Sequence, residues 1–210
     1  MNRSTQEPKY SHIAKVASRL FRTKGYHATS MKDICDAAGV QRGTLYYYID
    51  TKETLLFNIV DAAIDAVSEG LVQVALSDLP SGEKLRRAVE NHVFVLTCMQ
   101  DETAVLLHET QSLSEKHQRE VIEKRDTYEE LFCSILDQGI RSGELRSGLN
   151  ARIACFGILG MVNWLYKWYL PEGTLSPQQI ADVFTELLFG GVLSPSSPPT
   201  AELARQLQSA

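Results

Sequence analysis

A short stretch of this chain carries side chains that hydrogen-bond to base edges and to phosphates. Gln41 and Arg42 precede a run of hydroxyl-bearing residues that begins at Thr44 and ends with three consecutive tyrosines at 46–48. Arginine pairs with two acceptors of guanine and glutamine pairs with adenine, while threonine and tyrosine hydroxyls bind phosphate oxygens. Gly43, which has no side chain, allows a close approach of the backbone to a partner. This combination is suited to nucleic-acid contact.

The alternative is that the three tyrosines are core residues of an ordinary helix. Consecutive helical positions point about 100° apart, so Tyr46, Tyr47 and Tyr48 cannot all face one core. At least one of them is expected to be exposed beside Arg42. An exposed aromatic side chain next to a cation favours a binding surface over a plain helix.

Two short predicted helices position these side chains. Ser30, three residues before Asp33, predicts a helix start with a capping box, and Gly39 predicts the end of that helix. A second short helix is predicted over 42–49. Two short helices joined by a glycine turn are typical of a helix-turn-helix, whose second helix lies in the DNA major groove. An amphipathic helix over 9–25 and the helix that follows the pair would complete the core.

Charge is divided unevenly along the chain. Residues 1–57 hold nine Lys and Arg against five Asp and Glu, whereas the other 153 residues hold 12 against 21. The formal net charge of −5 for 210 residues therefore hides a positive N-terminal segment, which favours nucleic acid as the partner of that segment. With 44 % hydrophobic residues, the chain can bury a sizeable core, which excludes a disordered protein.

The cysteines and the apolar runs point to the cytoplasm. Cys35, Cys98, Cys133 and Cys155 form no CxxC pair, and with no secretory signal at the N-terminus they indicate reduced intracellular thiols. The longest apolar run, 153–162, has ten residues, about half of what a membrane-spanning helix needs. We therefore expect a cytoplasmic protein without a membrane partner.

Sequence patterns of enzymes and metal sites are missing. His108-Glu109 begins an HExxH pattern that lacks its second histidine. No GxSxG elbow, phosphate loop or dinucleotide fingerprint occurs, and the five histidines and four cysteines show no ligand spacing. The glycines at 139 and 143 follow a predicted helix and indicate its C-cap and turn. We expect no enzyme, no metal and no cofactor.

The rest of the chain also shows helical spacing of apolar residues. One stripe runs through Leu85, Val89 and His92, and another runs through Leu131 and Ile135. Strand-like alternation of useful length is absent from the sequence. The expected fold class is all-α, with about nine helices.

The segment 21–56 reads FRTKGYHATSMKDICDAAGVQRGTLYYYIDTKETLL and resembles the DNA-binding domain of the TetR family of transcriptional regulators. The matching residues are Lys24-Gly25-Tyr26, Thr29-Ser30, Ile34, Ala37-Ala38-Gly39-Val40, Gly43-Thr44-Leu45-Tyr46-Tyr47, Lys52-Glu53 and Leu55-Leu56. Ile49 departs from the family, which usually has phenylalanine there, but both residues are apolar. The resemblance implies an all-helical homodimer whose C-terminal domain binds a small molecule and controls DNA affinity. The residues predicted to contact DNA are Thr29, Ser30, Gln41, Arg42, Gly43, Thr44, Tyr46, Tyr47, Tyr48 and Lys52.

A nearly all-apolar helix predicted over 150–169 is a candidate dimer element. Its glycines permit close helix approach, and together with a last helix over 176–189 it would form a four-helix interface across a two-fold axis. The alternative is packing within one chain. The residues predicted to form the interface are Phe156, Gly157, Gly160, Ile180, Phe184, Leu187 and Leu188.

The segment NWLYKWYLPEGTLSPQQIADVF resembles the C-terminal domains of TetR-family members that regulate fatty-acid, sterol or aromatic-acid degradation. Those members respond to acyl-CoA thioesters, so the resemblance implies an acyl-CoA effector. Such a ligand needs an apolar tube for its chain and cations near its phosphates. The predicted effector residues are His92, Leu96, Met99, His108, Phe132, Leu136, Arg152, Asn163, Trp164, Lys167 and Trp168. For each apolar residue the alternative is plain core, and for His92 it is a core histidine with one hydrogen bond.

We therefore expect a ligand-responsive regulator, most simply a repressor that binds a palindromic operator as a homodimer and is released by a small hydrophobic effector. The alternative is a small-molecule carrier or sensor whose effector is another hydrophobic compound, drug-like or aromatic. The chain divides into a helix-turn-helix domain at 9–55, an effector-binding and dimerisation domain at 56–192, and a linker and tail at 193–210, which is rich in Pro and Ser at its start.

Overall fold

The computed structural model describes residues 3–190, so the predicted linker and tail at 193–210 lie outside the described residues. Regular structure in this range is helical throughout. The elements are α1 Arg3–Lys24, α2 Met31–Ala38, α3 Arg42–Tyr48, α4 Lys52–Ala75, α5 Ser81–Cys98, α6 Gln100–Glu109, a 3-10 turn Thr110–Ser112, α7 Glu115–Ser142, α8 Ala151–Asn163, α9 Leu165–Trp168 and α10 Pro177–Gly190. Nine of the helices within 3–190 have seven or more residues, which confirms the all-α prediction. None of these helices is long and apolar enough to cross a membrane.

The ends of α2 fix its position beside α3. The Ser30 hydroxyl accepts from the backbone N–H of Asp33, and the Asp33 carboxylate accepts from the N–H of Ser30, so the capping box is complete. Gly39 ends the helix with a φ of 64°, a left-handed conformation that glycine adopts without strain. The chain then turns and enters α3 at Arg42. The predicted helix-turn-helix is therefore present in the structure.

Two clusters of buried apolar residues form the core. The first surrounds the helix-turn-helix and includes Ile13, Ile34 and Leu45. It continues along α4 as far as Ile64 and takes in Val105 of α6, because two short helices cannot close a core alone. The second cluster lies among α4, α5, α7, α8 and α10. The domain boundary proposed near the start of α4 stays a prediction, since α4 contributes to both clusters.

The apolar helix predicted over 150–169 is interrupted near its C-terminal end. Trp164 separates α8 from the four-residue α9. A distant side chain takes the carbonyls that a longer helix would use internally: Gln100 Nε2 donates to Tyr166 at 3.0 Å and to Tyr169 at 2.8 Å. Local periodicity cannot reveal such a partner, which is why the sequence predicted one continuous helix.

Candidate DNA-binding surface and effector pocket

Helix α3 presents a polar and aromatic face because its apolar anchors are buried. Leu45 and Ile49 are 0 % and 1 % exposed and fix the helix on the N-terminal core. Tyr46 and Tyr47 are 40 % and 64 % exposed. The Arg42 guanidinium carbon lies 5.4 Å from the centroid of the Tyr46 ring, a cation–π arrangement that holds the arginine over the exposed face.

The remaining DNA-contact candidates of this region surround that face. Gln41 and Gly43 are exposed, while Thr44 and Tyr48 are half-buried. Ser30 is exposed as well, and its hydroxyl is used in the capping of α2. The structure therefore brings the candidates of α3 together, and their contact with DNA stays a prediction.

Two other candidates have structural roles. Thr29 is 1 % exposed and its hydroxyl donates to the Gly25 carbonyl at 2.8 Å, which does not support the predicted DNA contact of this side chain. Lys52 Nζ donates to the carbonyls of Tyr26 and Thr29, both at 2.8 Å, and lies 4.2 Å from the Tyr26 ring centroid. Burial lowers the pKa of Lys52. These contacts tie α4 to the turn between α1 and α2 and do not support the predicted phosphate contact.

Hydrogen bonds connect the N-terminal helices to the C-terminal body. Glu109, at the end of α6, accepts from the backbone N–H of Tyr26 at 3.2 Å. Glu53, in the first turn of α4, accepts from the N–H of Ser114 at 3.0 Å and from His117 at 2.8 Å. These hydrogen bonds, chiefly those from Ser114, lower the pKa of the Glu53 carboxyl to about 2. Helices α4 and α6 therefore both contact the segment that holds α1, α2 and α3, through Lys52 and Glu109 respectively. We call this segment, residues 3–48, the reading segment.

A cavity of about 60 Å³ lies in the C-terminal body where α4, α5, α6, α7 and α8 meet. Most of its wall is apolar, and each of α5, α6, α7 and α8 adds a polar side chain. The lining residues are Ala63, Ile64, Val67, His92, Leu96, Thr103, Leu106, Leu107, Arg125, Tyr128, Glu129, Leu159 and Asn163. Three of the predicted effector residues, His92, Leu96 and Asn163, are among them, and their contact with an effector stays a prediction.

His92 is the centre of the polar part of this wall. It is 4 % exposed, with Nδ1 at 2.7 Å from the Tyr128 hydroxyl and Nε2 at 3.0 Å from Asn163 Oδ1. Burial lowers the pKa of His92 to about 4, which keeps the ring neutral at pH 7. Burial also raises the pKa of Tyr128. His92 is thus a buried histidine with two hydrogen bonds, and it also faces the cavity.

The other eight predicted effector residues do not line this cavity, and their contact with an effector stays a prediction. Phe132 is fully buried in the C-terminal core. Leu136 lines a separate cleft of about 770 Å³ among α7, α8 and α10. Arg152 lines a cleft between α7 and the start of α8, where its guanidinium lies 5.6 Å from the Phe156 ring centroid.

The rest of this group lies toward the surface. His108 and Lys167 line a cleft next to α1, and the Nε2 atom of His108 is 2.6 Å from the hydroxyl of Tyr166, outside the cavity. Met99 joins α5 to α6. Trp164 and Trp168 are 57 % and 41 % exposed. Their helical faces point away from the cavity, which spacing along one helix could not show.

Helix α8 and Trp164, which follows it, carry an apolar stripe that is largely exposed. Ile153, Phe156 and Trp164 are exposed along it, at 65 %, 43 % and 57 %. A Cβ placed on Gly157 or on Gly160 would have no neighbouring atom within 4 Å. This face matches the predicted interface on α8, and it is open in the single chain.

Helix α10 divides its predicted interface residues between two faces. Ile180 is 3 % exposed and packs in the C-terminal core, which does not support its predicted dimer contact. Phe184 and Leu188 are half-buried against the same core. Leu187 is 39 % exposed, and Val183 beside it is 52 % exposed. Only the outer face of α10 is therefore open to a partner.

Sequence reasoning missed Tyr128 and Arg125 in the cavity wall. Tyr128 lies four residues before Phe132, a helical spacing that marks both as one buried face of α7. Arg125 is one turn earlier, and within the described residues it makes no hydrogen bond or ion pair. Among residues 3–190, no group of His, Cys, Asp and Glu side chains could hold a metal ion.

Comparison with known proteins agrees with this architecture. Residues 13–59 match the model "Bacterial regulatory proteins, tetR family", and residues 78–192 match "Tetracyclin repressor-like, C-terminal domain". The HTH-type transcriptional repressor KstR2 of Rhodococcus jostii is 26 % identical over 88 % of this chain and 91 % of its own. The fatty acid metabolism regulator protein of Bacillus subtilis is 25 % identical over 89 % of this chain and 97 % of its own.

Solved structures show the same fold. The TetR-family regulator PfmR of Thermus thermophilus superposes with a TM-score of 0.79 at 28 % identity, covering 87 % of this chain and 99 % of PfmR. AibR, crystallised in complex with isovaleryl coenzyme A and operator DNA, has a TM-score of 0.75 at 30 % identity and covers 86 % of this chain and 98 % of its own. These relatives are transcriptional regulators and not enzymes. The two family matches together cover the helix-turn-helix and most of the residues that line the cavity, and the chain belongs to the TetR family of transcriptional regulators.

Proposed function

We propose that this chain is a repressor that binds a palindromic operator as a homodimer and leaves it when an acyl-CoA effector binds. The observation that carries the DNA-binding part is the exposed face of α3, where Arg42, Tyr46 and Tyr47 stand opposite the buried Leu45 and Ile49. A helix fits the major groove, in which arginine reads guanine through two acceptors. The repressors among its relatives support the same function.

The uncovered stripe of α8 supports the homodimer. Exposed Ile153, Phe156 and Trp164 flank two glycines that leave room for a neighbouring helix. A second copy would cover this stripe and the outer face of α10 by two-fold symmetry. Two recognition helices would then face successive major grooves, about 34–36 Å apart.

The position of the cavity supports control by an effector. Helix α6 contributes Leu106 to the cavity wall, and its Glu109 accepts a hydrogen bond from the backbone N–H of Tyr26. Helix α4 likewise contributes Val67 to the cavity wall, and its Lys52 donates a hydrogen bond to the carbonyl of Tyr26 in the turn between α1 and α2. A ligand that prefers a different arrangement of these helices shifts the population of dimers whose spacing fits the operator. The acyl-CoA class is supported by the AibR complex with isovaleryl coenzyme A.

Fluorescence anisotropy with the DNA upstream of the gene for this chain tests the proposal. We expect specific binding by the homodimer, release by at least one member of an acyl-CoA series from acetyl to palmitoyl, and no release by free coenzyme A. Absence of binding to any palindromic segment of that region would contradict the repressor function. Specific binding that ignores every acyl-CoA would contradict only the effector class.

A further inference from the structure

Two hydrogen bonds link three side chains of the cavity wall, and His92 accepts one of them and donates the other. Asn163 Oδ1 can only accept, so the hydrogen of the His92 ring lies on Nε2, 3.0 Å away. A neutral imidazole with its hydrogen on Nε2 carries a lone pair on Nδ1. The Tyr128 hydroxyl, 2.7 Å from Nδ1, therefore donates to it. Tyr128 thus donates to His92, and His92 donates to Asn163.

The amide nitrogen of Asn163 takes no part in these two hydrogen bonds. Within the described residues its Nδ2 donates to no protein acceptor. While His92 Nε2 donates to Oδ1, the amide has Nδ2 and not its oxygen left for the cavity. Because Asn163 lines the cavity, a ligand meets a hydrogen-bond donor at this position.

The size of the cavity limits the part of a ligand that enters it. Its volume is about 60 Å³, and a water-sized group occupies roughly 10–15 Å³ on the same measure. The space therefore takes about four to six heavy atoms at that packing, as many as a short branched acyl group has. Ala63, Val67 and Leu159 make much of the wall apolar, which suits a short hydrocarbon chain next to the polar group that meets Asn163.

We propose that the cavity selects effectors with a short acyl group, whose carbonyl oxygen accepts a hydrogen bond from Asn163 Nδ2. Tyr128 and His92 are positioning residues that fix the amide for this contact. The proposal rests on the proposed function, since it specifies the effector of the same site. A thioester and a free carboxylic acid present the same oxygen, and the unpaired Arg125 at the rim is the partner for an anionic part of either.

The experiment compares two ligands that differ in one oxygen. Calorimetry measures the affinity of isovaleryl-CoA and of its thioether analogue S-isopentyl-CoA, which has no carbonyl. We expect the wild-type protein to bind the thioester about 3–10-fold more tightly, the effect of one hydrogen bond. Asn163→Leu abolishes this preference and leaves the thioether affinity within about twofold. Thermal unfolding first establishes that Asn163→Leu is folded, so that equal weakening of both ligands reports binding and not a folding defect.

Further variants and ligands separate the parts of the proposal. Tyr128→Phe reduces the thioester preference without changing thioether affinity. Asn91 does not line the cavity, and its amide donates to the Val67 carbonyl. Asn91→Leu is therefore the matched control and leaves the preference intact. Palmitoyl-CoA binds more weakly than isovaleryl-CoA.

Three results would overturn the short-acyl proposal: no thioester preference in the wild type, equal weakening of both ligands in Asn163→Leu, or palmitoyl-CoA binding as tightly as isovaleryl-CoA. Binding of free isovalerate without isovaleryl-CoA would overturn the acyl-CoA class of the proposed function and leave the role of Asn163 standing. Failure of every short acyl compound would overturn the short-acyl proposal, and failure of palmitoyl-CoA as well would overturn the acyl-CoA class of the proposed function.

Discussion

Arg22 Nη1 donates to Asp101 Oδ1 at 2.8 Å, while Nη2 of the same guanidinium donates to the Tyr166 carbonyl at 3.1 Å. One side chain thus joins α1 of the reading segment to the first turn of α6 and to α9. Helix α6 contributes to the cavity wall, and α9 follows Asn163 of that wall by two residues. Arg22 is therefore placed to transmit a movement of either helix to the DNA-binding surface.

The first prediction concerns this connection. Asp101→Asn keeps the shape of the side chain and removes its charge, so we expect weaker coupling between effector and operator. Allosteric coupling commonly amounts to about 5–150-fold in affinity, and the ratio of operator affinities without and with isovaleryl-CoA, measured by anisotropy, should fall several-fold. Operator affinity without effector should change little, because both side chains are partly exposed.

Glu120→Gln is the matched control for Asp101→Asn. It breaks an exposed ion pair with Lys116 inside α7 and connects no two elements. Its coupling ratio should equal that of the wild type. An unchanged ratio in Asp101→Asn would show that the Arg22 contact carries no coupling.

The second prediction separates the roles of Arg42 and Lys52. Arg42→Ala should cost about 1–3 kcal/mol at the operator and relax discrimination against random DNA, because a guanine contact is lost. Lys52→Met should instead lower the free energy of unfolding by about 2 kcal/mol, because its hydrogen bonds to the Tyr26 and Thr29 carbonyls are lost. Urea unfolding and anisotropy at several salt concentrations measure both effects.

The salt dependence decides between the two assignments of Lys52. A lost phosphate contact flattens the slope of log affinity against log salt by about 1. We expect no change of slope in Lys52→Met when folded protein is measured. A flatter slope in Lys52→Met would support the phosphate contact that the sequence suggested. Full discrimination between operator and random DNA by Arg42→Ala would show that α3 is not the recognition helix.

Local signals in the sequence were sufficient for the helix-turn-helix. Ser30, Gly39 and the apolar Leu45 act over a few residues, so caps and periodicity predicted both helices and the exposed tyrosines. Residue type and spacing could not show that Lys52 points back onto Tyr26 rather than toward solvent. The same lysine satisfies the family pattern in either orientation.

The cavity was harder to predict because its wall comes from five helices. His92 meets Tyr128 at a separation of 36 residues and Asn163 at a separation of 71. Apolar spacing places a residue on the inner face of its own helix, but it does not say which inner faces leave space between them. Phe132 and Leu96 have equally good spacing, yet only Leu96 reaches the cavity.

The third prediction concerns pH. The pKa of His92 is about 4 in the folded chain, against a usual value of 6.5. Between these values the unfolded chain binds a proton that the folded chain does not, so the free energy of unfolding falls as the pH drops from about 6.5 toward 4. The loss attributable to His92 is about 3 kcal/mol over the full window. Above about pH 6.5 this contribution is fully present.

Urea unfolding of the wild type and of His92→Gln at about pH 7, 5.5 and 4.5 measures this contribution. The difference between the two proteins should shrink as the pH falls, because glutamine has no proton to bind. His27→Gln, which replaces an exposed histidine bonded to Ser112, is the control and should follow the wild type. A difference independent of pH would contradict a buried, neutral His92.

The fourth prediction distinguishes a dimer face from an ordinary surface. A Cβ added at Gly160 would have no neighbouring atom within 4 Å, so Gly160→Lys fits the single chain and raises helix propensity by up to about 1 kcal/mol. In a dimer built on α8, the same lysine is forced against the apolar stripe of the second copy. We expect sedimentation to show a dissociation constant raised on the order of 100-fold or more, the effect of burying an unpaired charge. Operator binding should be lost with it, and monomer stability should not fall.

Ile122→Lys is the matched control for Gly160→Lys. Ile122 lies on the exposed face of α7 at 49 % exposure, so the variant adds the same charge away from the α8 stripe and should leave the dimer intact. Because both variants carry one extra lysine, a difference between them reports the position of the charge and not its presence. A Gly160→Lys protein that dimerises like the wild type would place the interface on another surface.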